Sequence, residues 1–552
     1  MTTRPCIILL TAFLVAWWIP ADVLSADSPI SLAIREQIDE LRTAGELQIG
    51  NASVASKDML PDLYERNCFE PLWQNPRNVK DLTDELGAIA SDGLNAEDYH
   101  LSELLVLKLL LEQGNTENAA LLADYDILLT DSLVRLCYHL LFGKVDPEGL
   151  NPQWNMGRQV NPDKDPVSAL ESRLRAGTLA QGLKNIRPRY NLYRQLKTAL
   201  QQYRGIQEKG GWVSVPGGPT LKPGMVDTRV VDLRRRLTVT GDYAGPLSDS
   251  AFFDRDLESA VRHFQERHHL EPDGKIGKNT LPVLNIPVKE KIDQIRVNLE
   301  RARWVLHKLP PEYLWVDIAG FRMYHYRDDS ILWSSRIIVG NRYRHTPVFK
   351  SKIEYIVFNP TWTVPPTILK EDILPKLRQG PGYLYDQKIE VIDRDGRVVD
   401  PATVDWSRYK THIPFTLRQT PGPHNALGRM KFILPNRYSI FLHDTPSRSL
   451  FAKEERALSS GCIRVEKYLE LAQRLLDNQI DWSPQKIQEL IDTEETQRVD
   501  LPRKMPVILI YCTVSVDENG DVFFRKDIYG RDRAVLDGLN EEFRIWQRKA
   551  FL

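Results

Sequence analysis

Apolar residues recur along this chain with two different periods, and the change from one to the other divides it. Ile34, Ile38 and Leu41 mark one amphipathic face. Tyr125 to Phe142 predicts a second, long helix closed by Gly143. From about Ser28 to Gln207 the pattern stays helical, with turns at Asp92-Gly93-Leu94 and at Gly143 to Pro147. The stretch Gly210 to Pro223 (GGWVSVPGGPTLKP) is rich in Gly and Pro and predicts a linker. Beyond it, Val230, Leu233 and Leu237, then Leu257, Val261 and Phe264, predict two short helices. Ile292, Ile295, Leu299 and Ala302 form the stripe of a connecting helix, which puts Arg296, Arg301 and Arg303 mostly on its solvated side.

After that helix the period shortens. Tyr313 to Ile318, Phe321 to Tyr326, Ile331 to Val339 and Ile353 to Asn359 are β-branched and aromatic runs broken by Gly320 and Asp328-Asp329, which predicts hairpins. The pattern lapses from about Thr367 to Phe415, and an insertion of that length in a β domain points to a lid over a groove. Gly422 to Gly428 predicts a turn before a strand at Met430 to Leu434, with Tyr438 to Leu442 as another strand. Val465, Tyr468, Leu469, Ala472, Leu475 and Leu476 recur at helical spacing, so Cys462 is expected at a helix N-terminus, where the dipole favours a thiolate. Val507 to Val514 and Val522 to Phe524 predict a hairpin turning at Asn519-Gly520 and completing the sheet. The fold class is multidomain α+β.

Composition narrows the partners. In 552 residues, 73 Lys and Arg balance 74 Asp and Glu, so no overall charge recommends nucleic acid. Residues 1–26 read as an export signal: Arg4, the apolar run Cys6 to Ile19, then Ser25 and Ala26. Export leaves Cys68, Cys137, Cys462 and Cys512 where disulfides are permitted, and Cys68 with Cys137 is one available pair. Cys512, in an apolar strand, is expected to be buried and inert. His268 and His269 are adjacent, so they do not share a helix face and make a poor ligand pair; both are expected to be solvated or partly packed.

Candidate chemistry gathers in Leu442 to Val465 (LHDTPSRSLFAKEERALSSGCIRV), where Cys462 follows His443 by nineteen residues. A lone Cys is more often a small buried hydrophobe than a nucleophile, and no second Cys or His lies near enough to suggest zinc. The whole string changes that balance. His443-Asp444-Thr445 followed by Ser459-Ser460-Gly461-Cys462-Ile463-Arg464 resembles the signature of L,D-transpeptidases with a YkuD-like catalytic domain. Many members have Gly after the His and His or Asn before Gly-Cys; Asp444 and Ser460 in those places look like the large YcbB-type branch. The resemblance implies Cys462 as nucleophile and His443 as base, with Gly461, Ser460 and Asp444 as oxyanion or orienting candidates. Arg464, Ser459 and Asn425 are substrate-binding candidates.

The string AVRHFQ at Ala260 to Gln265, with Asp273-Gly274, Ile276-Gly277 and Thr280-Leu281, resembles a three-helix peptidoglycan-binding domain. The SDGL turn and GKVDP resemble the helical scaffold of the YcbB-type enzymes. The expected order is therefore signal 1–26, scaffold 27–222, peptidoglycan-binding domain 223–287 and catalytic domain 288–552, with a capping insertion at 367–415. The resemblance implies a periplasmic enzyme that joins peptidoglycan tetrapeptide stems in 3-3 cross-links through a cysteine thioester. It implies no cofactor or metal, no nucleic acid, and association with other cell-wall synthesis proteins. A secreted cysteine peptidase acting on the same stems, or a non-catalytic wall-binding protein, are the alternatives.

Overall fold

The computed structural model describes residues 28–151, 154–156, 166–476 and 482–542. The expected export signal at 1–26 lies outside these residues. Among the described residues no helix is long and apolar enough to cross a membrane.

Helices from Pro29–Ala44 to Asn191–Glu208 build the N-terminal part, and Ala119–Phe142 runs through its middle, buried on nearly all sides. Such a helix carries polar groups into the core, and they are paired there. The Asp131 carboxylate accepts from Arg135 Nε at 2.6 Å and from the Ser56 N–H at 2.8 Å, with His100 Nε2 at 2.9 Å. Burial alone would raise this carboxyl, but Arg135 and His100 hold it down at about 2.

The small helical domain packs Leu233, Leu237, Leu257, Val261 and Phe264 into its own core. The stretch predicted as a linker is part of this packing. Val215 and Leu221 are in the core, Leu221 exchanges backbone hydrogen bonds with Ile276, and the Trp212 ring lies 3.9 Å from the Arg236 guanidinium carbon. Four apolar residues scattered among seven Gly and Pro positions follow no period that would show this. His268 also departs from expectation: it is buried, stacked 3.9 Å from Phe264 and 5.6 Å from Phe524. Burial pushes its pKa well below the ordinary imidazole value.

From Lys291 onward the connecting helix Val288–Val305 is largely buried, because the scaffold helices Ala119–Phe142 and Asn191–Glu208, the strand Val514–Val516 and the helix Asp532–Asn540 all pack against it. Arg301 and Arg303, expected in solvent, are therefore internal. Arg303 pairs with Glu300 at 2.6 Å with both side chains fully enclosed, and Arg301 reaches Asp532 at 2.6 Å.

Among the described residues, the C-terminal part rests on a nine-stranded sheet. Its strands are β1 (Glu312–Asp317), β2 (Arg322–Arg327), β3 (Ser330–Gly340), β4 (Phe349–Phe358), β5 (Met430–Ile433), β6 (Leu442–His443), β7 (Ala457–Ser459), β8 (Ile463–Val465) and β9 (Gln497–Ile510). The order is β7-β3-β8-β6-β5-β4-β9-β1-β2. β3 also pairs with β2, so the sheet curls back on itself. The hairpins β1-β2-β3 are antiparallel as predicted, whereas β6 with β8, β7 with β3 and β9 with β1 are parallel. Val514–Val516 and Val522–Phe524 form a separate ribbon instead of extending this sheet. Phe524 on that ribbon meets Tyr203 of the scaffold, His268 of the small domain and Lys291 of the connecting helix.

The insertion between β4 and β5 is not strand-free. Trp362–Thr363, Ile389–Ile392, Val398–Val399 and Thr416–Gln419 form a four-stranded sheet over a core that includes Ile373, Leu374, Leu384, Val391, Trp406 and Leu417. It is a small subdomain with its own apolar interior.

Candidate active site

Three neighbouring strands place the candidate residues. Lys431 on β5 is level with His443 on β6, and His443 is level with Arg464 on β8. Residues opposite one another share a face, and alternate residues along a strand take opposite faces. Met430, Phe432, Leu442, Ile463 and Val465 therefore point into the core, where all five are fully enclosed. Lys431, His443, Arg464 and, two positions before Arg464, Cys462 take the other face.

Cys462 does not start a helix. It enters strand β8, and the next helix begins only at Tyr468. The chain Ile463-Arg464-Val465 is drawn into the gap between β3 and β6, where its backbone groups find partners on both sides. β6 is correspondingly an inner strand of only Leu442 and His443, preceded by Ser439 with φ 57°, in place of the five-residue strand predicted from Tyr438 to Leu442. No helix dipole acts on the sulfur. Burial raises the Cys462 thiol above its ordinary range, while the Phe441 N–H, Lys431 and Arg464 pull it down.

His443 is buried, and its Nδ1 lies 2.5 Å from the Asp444 carbonyl oxygen. A carbonyl only accepts, so Nδ1 carries the proton and Nε2 is the acceptor nitrogen. Burial, with Arg464 beside the ring, lowers the imidazole to about 3. The resting pair is therefore a neutral imidazole and a neutral thiol, and the imidazole is free to take a proton.

The remaining candidates are placed as follows. Ser459 Oγ donates to the Cys462 carbonyl at 2.5 Å and accepts from the Gly461 N–H at 3.1 Å. Ser459 thus ties the turn before the cysteine, and the Gly461 N–H is already engaged. Gly461 has φ 114°, a backbone state that suits Gly, with its carbonyl held by Thr346 Oγ1 at 2.8 Å. Asp444 presents its carbonyl to His443, while its carboxylate accepts from the Arg429 N–H at 2.9 Å and from Arg448 Nη1 at 3.0 Å. Asn425 is buried and spent on backbone: Nδ2 donates to Pro360 and Thr420 at 2.9 Å, and Oδ1 accepts from the Leu427 N–H at 2.8 Å. It shapes the loop before β5. Cys68, Cys137 and Cys512 are free thiols, so Cys68 and Cys137 are not paired, and burial pushes Cys137 and Cys512 to about 12. Among the described residues no group of three or more His, Cys, Asp or Glu side chains is placed to hold a metal.

The family model described as L,D-transpeptidase catalytic domain matches residues 311–500, which contain both Cys462 and His443. Residues 311–500 form an L,D-transpeptidase catalytic domain. The models described as "Scaffold domain" and "Putative peptidoglycan binding domain" match residues 58–200 and 226–284. A protein of Haemophilus influenzae described as "Putative L,D-transpeptidase" is 26% identical over 490 residues, covering 88% of this chain and 81% of its own length. Among solved structures, an L,D-transpeptidase from Stackebrandtia nassauensis matches at 13% identity and a TM-score of 0.21, over 54% of this chain and 96% of that one. An L,D-transpeptidase from Mycobacterium smegmatis matches at 12% identity and a TM-score of 0.17, over 36% of this chain and 58% of that one.

Two side chains of the transpeptidase domain had no signal in the motif. Lys431 reaches the site face only because β5 pairs with β6 in this register. Arg344, after β3, joins the insertion to the cysteine loop. Its Nη1 lies 2.7 Å from Asp372 Oδ2 and 2.8 Å from Ser460 Oγ, and its Nη2 lies 2.5 Å from Glu371 Oε2. A cleft of about 1420 Å³ lies elsewhere, lined by residues of the peptidoglycan-binding domain, the connecting helix and the C-terminal strands, and includes neither Cys462 nor His443.

Proposed function

We propose that this protein is a cysteine-dependent L,D-transpeptidase that forms 3-3 cross-links between peptidoglycan tetrapeptide stems in the periplasm. The observation that carries this is Cys462 on the same sheet face as His443, whose Nε2 is left as the acceptor nitrogen. In the first half-reaction Sγ attacks the carbonyl between the third and fourth stem residues and its proton passes to Nε2. The C–N bond breaks, the departing D-alanine amine takes that proton, and a thioester remains. In the second half-reaction the side-chain amine of a diamino acid on another stem attacks the thioester. Its proton passes through His443 to the departing sulfur, and an amide joins the two stems. The matched peptidoglycan-binding domain supports a wall substrate.

The test uses the full chain with a tetrapeptide stem and an amine-bearing acceptor stem. The expected products are free D-alanine, an intact-mass increase equal to the tripeptide acyl group, and a cross-linked dimer. Cys462→Ala should give none of the three. A tripeptide acid without dimer would identify a hydrolase, and unmodified protein with unchanged peptide would identify a binding protein.

A further inference from the structure

Lys431 and Arg464 stand on either side of His443, and among the described residues neither has a carboxylate partner. The Lys431 ammonium has only the Phe441 ring, 4.0 Å from its centroid, and forms no hydrogen bond or ion pair among the described residues. Arg464 buries its Nε with no acceptor. Burial lowers the pKa of both, and Cys462 is the one titratable group acting on either among the described residues. Other enclosed arginines are given acceptors: Arg303 has the Glu300 carboxylate, and Arg236 and Arg456 donate to backbone carbonyls. Two half-buried cations left unpaired on one face are costly for the protein alone and favourable once an anion arrives.

We propose that Lys431, together with Arg464, receives the terminal carboxylate of the donor stem and so selects the bond that Cys462 attacks. This rests on the transpeptidase reading above. Neighbouring strands lie about 4.8 Å apart, so the two cations bracket a space about two strand spacings wide centred on His443. A peptide cleaved one residue from its end carries its carboxylate about one residue length, ~3.8 Å, from the attacked carbonyl. Both groups of the donor then fit on the face that holds Cys462 and the cations. A stem one residue longer would move the carboxylate out of reach and leave both cations unpaired. Lys431 is in this sense a specificity residue; the bond making and breaking remains with Cys462 and His443.

The test compares two donors, a tetrapeptide stem with a free terminal carboxylate and the same peptide as its terminal amide, on the parent, Lys431→Met and Lys431→Arg. The readout is the acylation kcat/KM from release of D-alanine or D-alaninamide. The parent should prefer the acid by about 10- to 100-fold, the worth of a charge-assisted hydrogen bond. Lys431→Met should bring that ratio close to one, and Lys431→Arg should keep most of it. If Lys431 acts instead by stabilising the thiolate, Lys431→Met slows both donors alike and slows alkylation by iodoacetamide. An unchanged acid-to-amide ratio in that variant overturns the proposal while leaving the transpeptidase reading intact. A parent that is alkylated at Cys462 but acylated by neither donor overturns both.

Discussion

His443 Nδ1 donates to the backbone carbonyl of its own neighbour, Asp444, at 2.5 Å. The tautomer of the ring is thus set by the backbone, and the Asp444 carboxylate is left to the Arg429 N–H and to Arg448. In the proposed reaction Cys462 receives no help from a helix terminus, so removal of its proton falls to His443. His443→Ala should lower the acylation rate by about 10²- to 10⁴-fold, with a smaller effect on donor binding. Raising the pH should restore part of the loss as the thiol ionises unaided. Parental rates in that variant across the pH range would make His443 a structural residue.

The pH profile follows from the same two groups. The imidazole is lowered to about 3 by burial, so above that value it is already the neutral base that the reaction needs. The acid limb of kcat/KM should therefore lie well below the ordinary imidazole value of about 6.5. The thiol is raised, so alkylation by iodoacetamide should keep accelerating beyond pH about 8.5, where an ordinary thiol is half ionised. An acid limb near the ordinary imidazole value, or alkylation that levels off below neutrality, would contradict this assignment.

Arg344 fastens the insertion beside the cysteine loop through Glu371, Asp372 and Ser460. Both carboxylates are half exposed, so each contact contributes only about 0–1 kcal/mol. Arg344→Ala should leave global stability almost unchanged, because the subdomain keeps its own core. Amide exchange at 366–377 should quicken, and the contrast on binding a stem peptide should grow. Identical exchange in parent and variant would show that the fastening does not hold the subdomain.

Gly428 is needed for close approach as well as for its turn. Its φ is 64°, and a Cβ there would lie 2.3 Å from Asp444 Oδ2. Gly428→Ala should cost about 1–3 kcal/mol in denaturant unfolding. Because Asp444 bears the carbonyl that orients His443, acylation should fall more steeply than folding does. A variant with parental kinetics would separate the carboxylate's position from that of the imidazole.

Glu300 and Arg303 form an ion pair with no exposure to solvent. Glu300→Gln leaves the Arg303 charge without its counter-ion and should destabilise by about 3–5 kcal/mol, visible as a lower Tm. A loss below about 1 kcal/mol would mean that the Asp92 carbonyl and the Tyr193 hydroxyl, which Arg303 also reaches, suffice for it.

The sequence by itself determined the element types over long stretches, the division into scaffold, peptidoglycan-binding and catalytic parts, and the pairing of His443 with Cys462 in one motif. Each rests on local periodicity or on a short string, both of which survive without knowledge of contacts. Helix was the wrong element at Cys462, because Ile463-Arg464-Val465 is too short to separate a period of two from a helical one. The vacancy between β3 and β6 settled it. Tertiary structure alone decided which groups share a face: Lys431 reaches the site through the pairing of β5 with β6, thirty-one residues of chain before Cys462. It also spent the polar atoms of Asn425 and Ser459 on backbone, and it enclosed Arg301 and Arg303 by packing two domains against one helix. These outcomes depend on strand register and on non-local packing, in which a residue's neighbours lie far away along the chain.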